Sequence, residues 1–303
     1  MSSTSAVQAA PVRTGASLLG PDPKALVLFN AKAGSTNEGD REKLSAILEA
    51  SGVSHHTIID VDDFSSDTLS KARAFDVIIV LGGDGTALAA AESAPLNGPP
   101  LILLPGGTLN LLPRALYGER AWPDALRDAL SQGIVRRLVG GRANEHRFFI
   151  AAIFGAPTLL ARAREAVREG KLLLAWRRAQ HYLKRAFSYQ LAARPDCGPA
   201  AKAEAIGVLA PSFSGGVEGP DLEWVRLKAH HLGELARVSL RALGAGWRED
   251  PAVEILHCRG GEIRSRGVIP AVLDGEPKTF LSRVRIRYDA LGPRVIVLEP
   301  QAE

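Results

Sequence analysis

Three short polar loops, each rich in small residues and each following an apolar run, carry the residues that could do chemistry. They are Asn30–Ser35, Gly82–Thr86 and Pro105–Asn110. Glycine lets the backbone come close to a ligand, and free N–H groups at the start of a helix attract phosphate. Lys32 adds a mobile cation, and Thr108 and Asn110 offer a hydroxyl and an amide to a ribose or a phosphate. Together the loops predict a phosphate-binding site, although each alone is compatible with a plain turn.

Two carboxylates beside glycine turns are candidates for proton transfer or metal binding. Asp84, inside the second loop, would repel a phosphate unless it holds Mg²⁺, takes up a proton or anchors the turn through hydrogen bonds. Far downstream, the pair Asp274-Gly275 is typical of a tight hairpin. A functional interpretation makes the next residue, Glu276, a general base that removes a proton from a hydroxyl group.

The scaffold that must position these residues is indicated by the apolar runs. Up to about Arg137 they alternate with helical patterns, which predicts an α/β domain with a mostly parallel sheet. Ligands bind at the carboxyl ends of strands in such sheets, where all three loops are expected. The strands predicted here are 24–29, 56–60, 76–81 and 100–104, and the helices are 41–50, 65–74, 109–116 and 122–132.

Beyond Arg137, short strand-like runs separated by Gly and Pro predict an antiparallel β domain. These runs are 147–153, 188–193, 203–209, 222–227, 254–259, 262–266, 271–273, 284–288 and 294–298. A helical segment between Ala161 and Ala186 interrupts them, with eight Lys or Arg residues against two Glu. We interpret it as an interfacial helix that attracts anionic headgroups and buries Leu and Trp side chains; an ordinary surface helix is the alternative.

Composition narrows the class of protein. With 46% hydrophobic and 23% charged residues, the 303-residue chain is typical of a globular protein with room for two domains. Its net charge of +4 favours an anionic partner. Cys197 and Cys258 are too few for a disulfide framework and predict free thiols in a reduced, cytosolic protein. No apolar run is long enough to span a membrane, and Met1–Pro23 lacks the pattern of a secretory signal.

The order of the motifs resembles the catalytic domain of the diacylglycerol kinase family, which also includes sphingosine and ceramide kinases. The resemblance extends from about Lys24 to Pro300. The motifs that carry it are Asn30-Ala31-Lys32-Ala33-Gly34, Gly82–Thr86, Pro105–Asn110 with Arg114-Ala115-Leu116 behind it, and Asp274-Gly275-Glu276.

This resemblance implies a Rossmann-like, NAD kinase-like α/β domain followed by an antiparallel β-sandwich domain, with an ATP site in the cleft between them. It also implies that the last strand returns to the first domain. The expected organisation is a disordered tail (1–23), a nucleotide-binding domain (24–139, with 288–303 returning to it) and a lipid-side domain (140–287, with the basic helical insertion at 158–187).

The resemblance also implies roles for single residues. Glu276 or Asp84 is the implied catalytic base, and Asp84 and Asp221 are the implied Mg²⁺ ligands. The residues implied to bind ATP are Asn30, Lys32, Gly34, Gly82, Gly83, Gly85, Thr86, Gly107, Thr108 and Asn110. The chain departs from many relatives in Ala87-Leu88-Ala89 and in Leu111, where acidic or amide side chains are common, and in Pro220-Asp221-Leu222, where an Asp-Gly pair organises magnesium.

The predicted function is that of an ATP-dependent lipid kinase that phosphorylates the hydroxyl of a diacylglycerol-like or ceramide/sphingoid lipid, with Mg²⁺. We expect a cytoplasmic protein, peripheral at the inner membrane surface, whose partners are the lipid substrate and an anionic membrane. No nucleic-acid partner is expected because the chain lacks a basic–aromatic surface pattern. The sequence leaves open whether the protein forms a homodimer. The alternatives are a soluble NAD kinase-like enzyme and a catalytically decayed nucleotide- or lipid-binding regulator.

Overall fold

The chain folds into two compact units. A computed structural model describes residues 19–63, 72–155, 191–211, 219–227, 248, 250–251 and 253–299. The first unit runs to Arg137 and resumes at Pro293, and the second is Leu138–Gly292. The predicted basic insertion at 158–187 and most of the predicted helix at 65–74 lie outside the described residues.

A six-stranded, mostly parallel sheet organises the first unit. Its strands are β1 (Lys24–Phe29), β2 (His55–Asp60), β3 (Val77–Gly82), β4 (Leu101–Pro105), β5 (Ile134–Arg137) and β18 (Arg294–Val297), in the order β2-β1-β3-β4-β18-β5. All neighbouring pairs are parallel except β18 with β5. The central strands β3 and β4 are buried along their whole length, as their unbroken apolar runs predict.

Helices follow β1, β3 and β4. They are α1 (Gly39–Ala50), α2 (Asp84–Ser93), α3 (Leu111–Tyr117) and α4 (Trp122–Gln132), with short 3₁₀ turns at Val61–Asp63 and Ala72–Ala74. In α4 the buried residues Trp122, Ala125, Leu126, Ala129 and Leu130 recur at helical spacing and form one apolar face. Tyr117 ends α3 and is buried; its hydroxyl donates to the Ile296 carbonyl at 2.8 Å and accepts from the Leu103 N–H at 3.2 Å.

Two six-stranded antiparallel sheets form the second unit. Sheet 2 has the order β10-β9-β14-β17-β6-β7, and sheet 3 has the order β13-β12-β11-β8-β15-β16. Their strands are β6 (Gly140–Ala143), β7 (His146–Phe148), β8 (Ala151–Gly155), β9 (Leu191–Pro195), β10 (Ala201–Ala203), β11 (Ala205–Leu209), β12 (Leu222–Leu227), β13 (Val253–Cys258), β14 (Gly260–Arg264), β15 (Ile269–Leu273), β16 (Glu276–Phe280) and β17 (Arg283–Asp289). Buried side chains of both sheets, among them Phe148, Ile286, Phe154 and Trp224, form a single core. The predicted fold class, α/β followed by an antiparallel sandwich, is confirmed.

One predicted strand is divided in two. The run 147–153 reads as continuous, but β7 ends at Phe148 and β8 begins at Ala151. The reason is the Asp274 carboxylate, which accepts hydrogen bonds from the N–H groups of Phe149, Ile150 and Ala151 at 2.6–2.9 Å. The chain passes from sheet 2 to sheet 3 at this point, since β7 belongs to one and β8 to the other.

The expectation of two free thiols is wrong for this structure. Cys197 and Cys258, 61 residues apart in sequence, form a disulfide with their Cα atoms 5.5 Å apart. Cys197 lies in the turn after β9 and Cys258 ends β13, so folding brings together two positions that sequence spacing does not connect. The disulfide joins sheet 2 to an edge strand of sheet 3.

Among the described residues, no helix is long and apolar enough to cross a membrane.

Candidate phosphate-binding site

The three glycine-rich loops meet at the carboxyl ends of β1, β3 and β4. These strands are adjacent and parallel, so their ends lie at one edge of the sheet. Backbone hydrogen bonds join the loops there: Asn30 N–H donates to the Leu81 carbonyl at 2.9 Å, Gly106 N–H to Gly82 at 2.8 Å and Ser35 N–H to Gly106 at 3.0 Å. The convergence expected from strand order is therefore present.

The glycines let the loops pack closely against one another. A Cβ at Gly107 would lie 2.7 Å from the Cα of Gly83, and one at Gly106 would lie 3.0 Å from the backbone N and O of Gly82. A Cβ at Gly34 would lie 2.7 Å from Thr108 Oγ1. The contact at Gly107 is with backbone and is closer than real Cβ atoms come, so this position requires glycine. At Gly106 the backbone of Gly82 would have to shift slightly, and at Gly34 the Thr108 side chain would have to move.

Asn30 ties the first loop to the second. Its amide Nδ2 donates to Thr86 Oγ1 at 3.0 Å, and its Oδ1 accepts from the Lys32 N–H at 3.0 Å. The Asn30 carbonyl accepts from Thr36 Oγ1 at 2.6 Å. These contacts let Asn30 position Thr86 and the first loop, and its predicted contact with a nucleotide stays a prediction.

Asn110 closes the third loop on itself. It is buried and adopts the left-handed conformation, with φ at 52°, which Asn tolerates better than most residues. Its Oδ1 accepts from the Gly107 N–H at 2.7 Å, and its Nδ2 donates to the Gly107 carbonyl at 2.8 Å. The side chain thus holds the loop backbone through a reciprocal contact, and its predicted contact with a nucleotide stays a prediction.

Asp84 connects the second loop to the start of α3. Its Oδ1 accepts from the Leu112 N–H at 3.2 Å. Partial burial raises the pKa of Asp84 above its ordinary value; hydrogen bonds from the backbone of α3 and the charge of Arg114 oppose this rise. Of the roles considered for Asp84, hydrogen-bonded support of a turn is the one visible in its contacts. The raised pKa also makes the carboxylate a better proton acceptor than an exposed one.

The exposed residues of the loops include Lys32, Gly34, Gly85 and Thr108, and Gly83, Asp84 and Thr86 are partly exposed. A Cβ at Gly85 would meet nothing within 4 Å, so this backbone borders open space. The N–H groups of the first turn of α2 have no acceptor within the helix and are available to an anion. Lys32 Nζ lies 2.5 Å from Asp62, and this contact raises the pKa of the lysine. The edge can therefore receive an anion at a helix N-terminus beside a lysine and a hydroxyl.

Sequence reasoning overlooked two residues of this edge, Thr36 and Asp62. Thr36 contacts Asn30, and Asp62 holds Lys32. Asp62 follows the carboxyl end of β2, a parallel neighbour of β1, so strand order was a usable signal for it. The contact of Thr36 depends on the path of the loop, which no sequence pattern reports.

The remaining predicted residues lie in the second unit. Asp274 and Gly275, with φ of 48° and 92°, form the tight turn of the β15–β16 hairpin, so the hairpin prediction is correct. Glu276 begins β16, has a side chain 74% exposed and pairs with Lys278 at 3.0 Å. Asp221 directly precedes β12 and is partly exposed. Their predicted roles as base and metal ligand stay predictions.

Magnesium would find few protein ligands here. Within the described ranges, no group of three His, Cys, Asp or Glu side chains could hold a metal ion. Mg²⁺ in nucleotide sites commonly takes one or two carboxylates together with phosphate oxygens and waters. Asp84 fits the role of a single such carboxylate, and the loops do not form a metal cage of their own.

Comparison with known proteins relates both the loops and the fold to diacylglycerol kinases. Residues 24–142 match the model of the diacylglycerol kinase catalytic domain. The match confirms the family resemblance for this part of the chain. No curated protein matches the chain.

Solved structures with the same fold come from Bacillus anthracis str. Sterne. A diacylglycerol kinase from this organism has a TM-score of 0.65 and 18% identity, over 91% of this chain and 97% of its own. A second structure, described provisionally as a diacylglycerol kinase, has a TM-score of 0.66 and 20% identity, again over 91% and 97%. At these identities the likeness establishes a diacylglycerol kinase-like fold.

Proposed function

We propose that the protein is an ATP-dependent lipid kinase that phosphorylates a hydroxyl of a diacylglycerol-like or ceramide/sphingoid lipid. The observation that carries this proposal is the convergence of three loops, packed glycine on glycine, around the open N-terminus of α2. That arrangement suits the phosphates of a nucleotide. The family match over 24–142 supports phosphoryl transfer to a lipid rather than to another acceptor.

Each exposed group has a role in this proposal. The N–H groups of Gly85 and Thr86 bind phosphate oxygens, Lys32 adds positive charge, and the Thr108 hydroxyl donates a further hydrogen bond. The lipid oxygen attacks the γ-phosphorus, the bond from that phosphorus to the β,γ-bridging oxygen breaks, and ADP leaves. The proton of the lipid hydroxyl passes to a carboxylate, that of Glu276 or of Asp84. Mg²⁺, when bound with the nucleotide, neutralises phosphate charge.

The two candidate bases can be separated by matched variants. Asp84→Asn keeps an acceptor for the Leu112 N–H, whereas Asp84→Ala removes it. If Asp84 takes part in the chemistry, Asp84→Asn lowers kcat by about 100-fold or more with an unchanged melting temperature. If Asp84 only supports α3, Asp84→Asn stays active and Asp84→Ala loses stability. For the other carboxylate, Glu276→Gln is compared with Glu145→Gln, another exposed glutamate of the second unit.

The decisive assay measures transfer of labelled phosphate from ATP in detergent–lipid micelles. Diacylglycerol, ceramide and sphingosine are offered separately as acceptors, and the preferred one defines the substrate class. Phosphorylation of NAD instead of lipid would establish the NAD kinase-like alternative. ATP binding without transfer to any acceptor would establish the decayed regulator. This alternative is retained because Ala89 and Leu111 stand where many relatives have acidic residues.

We also propose a cytoplasmic enzyme that works at the inner membrane surface, because its substrates are membrane lipids. A homodimer remains a prediction that sedimentation measurements can test.

A further inference from the structure

The outward side of sheet 2 carries an unusual density of arginine. Along β17 the side chains alternate, with Val284 and Ile286 in the core and three arginines outside. The neighbouring strands β14, β9 and β10 continue the same side. We call the following set the basic sheet face: Arg194, Lys202, Arg264, Arg283, Arg285 and Arg287, all exposed.

Strand register places these residues in neighbouring positions. Arg283 is opposite Arg264, which in turn is opposite Ala192, the partner of Lys202. In the next row Arg285 is opposite Glu262, and Glu262 is opposite Arg194. Directly opposed strand residues lie about 5 Å apart. The face is therefore a continuous array of positive charge and not six scattered residues.

One carboxylate, Glu262, lies between members of the face in the strand register. Two more border the face: Asp289, the next outward position of β17, pairs with Arg142 and Arg147, and the Asp196 carboxylate lies beside Gly260, the strand partner of Arg287. Glu262 pairs with Arg264 and Arg283, and the hydrogen bond from Arg264 is the largest cause of the lowered pKa of Glu262. Glu262 therefore remains ionised, and the face keeps an excess of five positive charges. None of the described carboxylates forms an ion pair with Arg194, Arg285 or Arg287. Like charges opposed across strands destabilise a sheet, so this arrangement has a cost for folding alone.

An apolar tip borders the basic sheet face. Val268 is 49% exposed and Leu281 is 79% exposed, the latter more than the other large hydrophobic side chains described. They flank the paired residues Ile269 and Phe280. Val268 lies in the connection from β14 to β15 and Leu281 in the connection from β16 to β17, and the hydrogen bond from Ser265 N–H to the Ser282 carbonyl at 2.9 Å joins these two connections. These connections begin directly after Arg264 and end directly before Arg283, so the tip and the first row of arginines are contiguous.

We propose that the basic sheet face and the tip of Val268 and Leu281 form a membrane-docking surface for anionic phospholipid. Arginines at such a surface attract phosphate headgroups, and exposed aliphatic side chains enter the boundary between headgroups and acyl chains. This combination fits a bilayer better than a nucleic acid, because single-stranded nucleic acid favours aromatic platforms among the cations and the six members of the face include none. The surface belongs to the second unit, whereas the phosphate-binding loops belong to the first, and the docking proposal does not depend on the proposed activity.

The test measures binding to vesicles without ATP. Vesicles contain phosphatidylcholine alone or with about 30% phosphatidylserine, an anionic lipid. The variant Arg194→Gln/Arg285→Gln/Arg287→Gln removes the three arginines that have no carboxylate partner, so folding is retained and is checked by melting temperature. Each arginine near an anionic surface strengthens binding about five-fold, so the triple variant should bind about 100-fold more weakly.

A matched control removes the same charge from the first unit, through Lys24→Gln, Arg73→Gln and Arg127→Gln, all exposed positions. It should weaken binding by no more than a few-fold, because none of the three residues belongs to the basic sheet face. Val268→Ser with Leu281→Ser tests the tip: it should weaken the binding that persists at about 0.5 M salt, where charge attraction is small.

Three results would overturn the proposal. They are equal binding to neutral and anionic vesicles, equal loss in the triple variant and its control, or tighter binding to single-stranded RNA than to anionic vesicles. Loss of binding in the triple variant together with no phosphorylation of any lipid would leave the docking surface standing and refute only the proposed activity.

Discussion

Replacing Gly107 with alanine tests whether the contact between the second and third loops holds the site together. The added Cβ would lie 2.7 Å from the Cα of Gly83, against an ordinary contact of 3.4 Å or more. The backbones must therefore separate by about 0.7 Å. Such a shift stretches the 2.8 Å hydrogen bond from Gly106 to Gly82 towards its limit. Overpacking and the weakened bond together should lower the free energy of unfolding by about 2–3 kcal/mol.

The matched control is Gly85→Ala in the same site. A Cβ at Gly85 meets nothing within 4 Å, and neither glycine has a positive φ. This substitution in α2 should leave stability unchanged or raise it by about 0.5 kcal/mol. ATP binding should nevertheless weaken, because the methyl group occupies the space that a phosphate needs.

Thermal unfolding followed by circular dichroism, with ATP binding by calorimetry, measures both variants. For Gly107→Ala we expect a melting temperature lower by about 5–10 °C, since 1 kcal/mol corresponds to about 2–4 °C in a protein of this size. An unchanged melting temperature for Gly107→Ala would refute the inference that Gly107 is required by backbone contact. Normal ATP binding by Gly85→Ala would refute the placement of phosphate at the start of α2.

Three further predictions concern the second unit. Asp274→Ala leaves three backbone N–H groups without their carboxylate acceptor and should lower the free energy of unfolding by about 3 kcal/mol in urea denaturation, whereas Asp274→Asn should lose less. Burial raises the pKa of Asp289, but the hydrogen bond from the Leu291 N–H and the interactions with Arg147 and Arg142 lower it by more. The pKa therefore lies below the ordinary 3.8. The contribution of ionised Asp289 to the free energy of unfolding is thus fully present above pH 3.8 and is lost as the pH falls through the lower pKa of the folded state. In acid titrations, Asp289→Asn should abolish this pH dependence of stability. Reduction of the Cys197–Cys258 disulfide, which closes a 61-residue separation, should lower stability by about 4 kcal/mol, and a reductant should not affect the double alanine variant.

Much of the first unit is predictable because its signals are local. β1 and α4 have the predicted bounds, since an unbroken apolar run and a regular apolar face mark them directly. β6 was overlooked because it begins with Gly140 and Gly141, which resemble a turn. Its glycines instead accommodate Phe148: a Cβ at either position would lie 2.2 Å from an atom of that residue. Residues 140–143 form a strand because of their contact with β7, and local propensity does not report this contact.

In the candidate site, too, the local features are predictable from the sequence and the long-range contacts are not. The three loops and their convergence follow from motif and strand order. The hydrogen bond from Leu112 to Asp84 spans 28 residues, and the reciprocal contact of Asn110 with Gly107 depends on a left-handed backbone. Asn110 was predicted to contact the ligand, and for Asp84 the sequence left metal binding, proton transfer and anchoring of the turn open. Polar residues in a binding loop thus serve partly to hold the loop, and motif recognition does not separate the two uses.

The position of β18 has a consequence for how the chain is made. This strand lies between β4 and β5, although more than a hundred and fifty residues separate it from β5 in the sequence. During synthesis, at about 5–20 residues per second, the ribosome releases β1–β5 on the order of ten to thirty seconds before their missing neighbour. Through that interval the facing edges of β4 and β5 lack a partner, and β4 is fully apolar. We therefore expect the nascent first unit to bind chaperones, and premature termination near the end of the gene would remove an interior strand of its sheet.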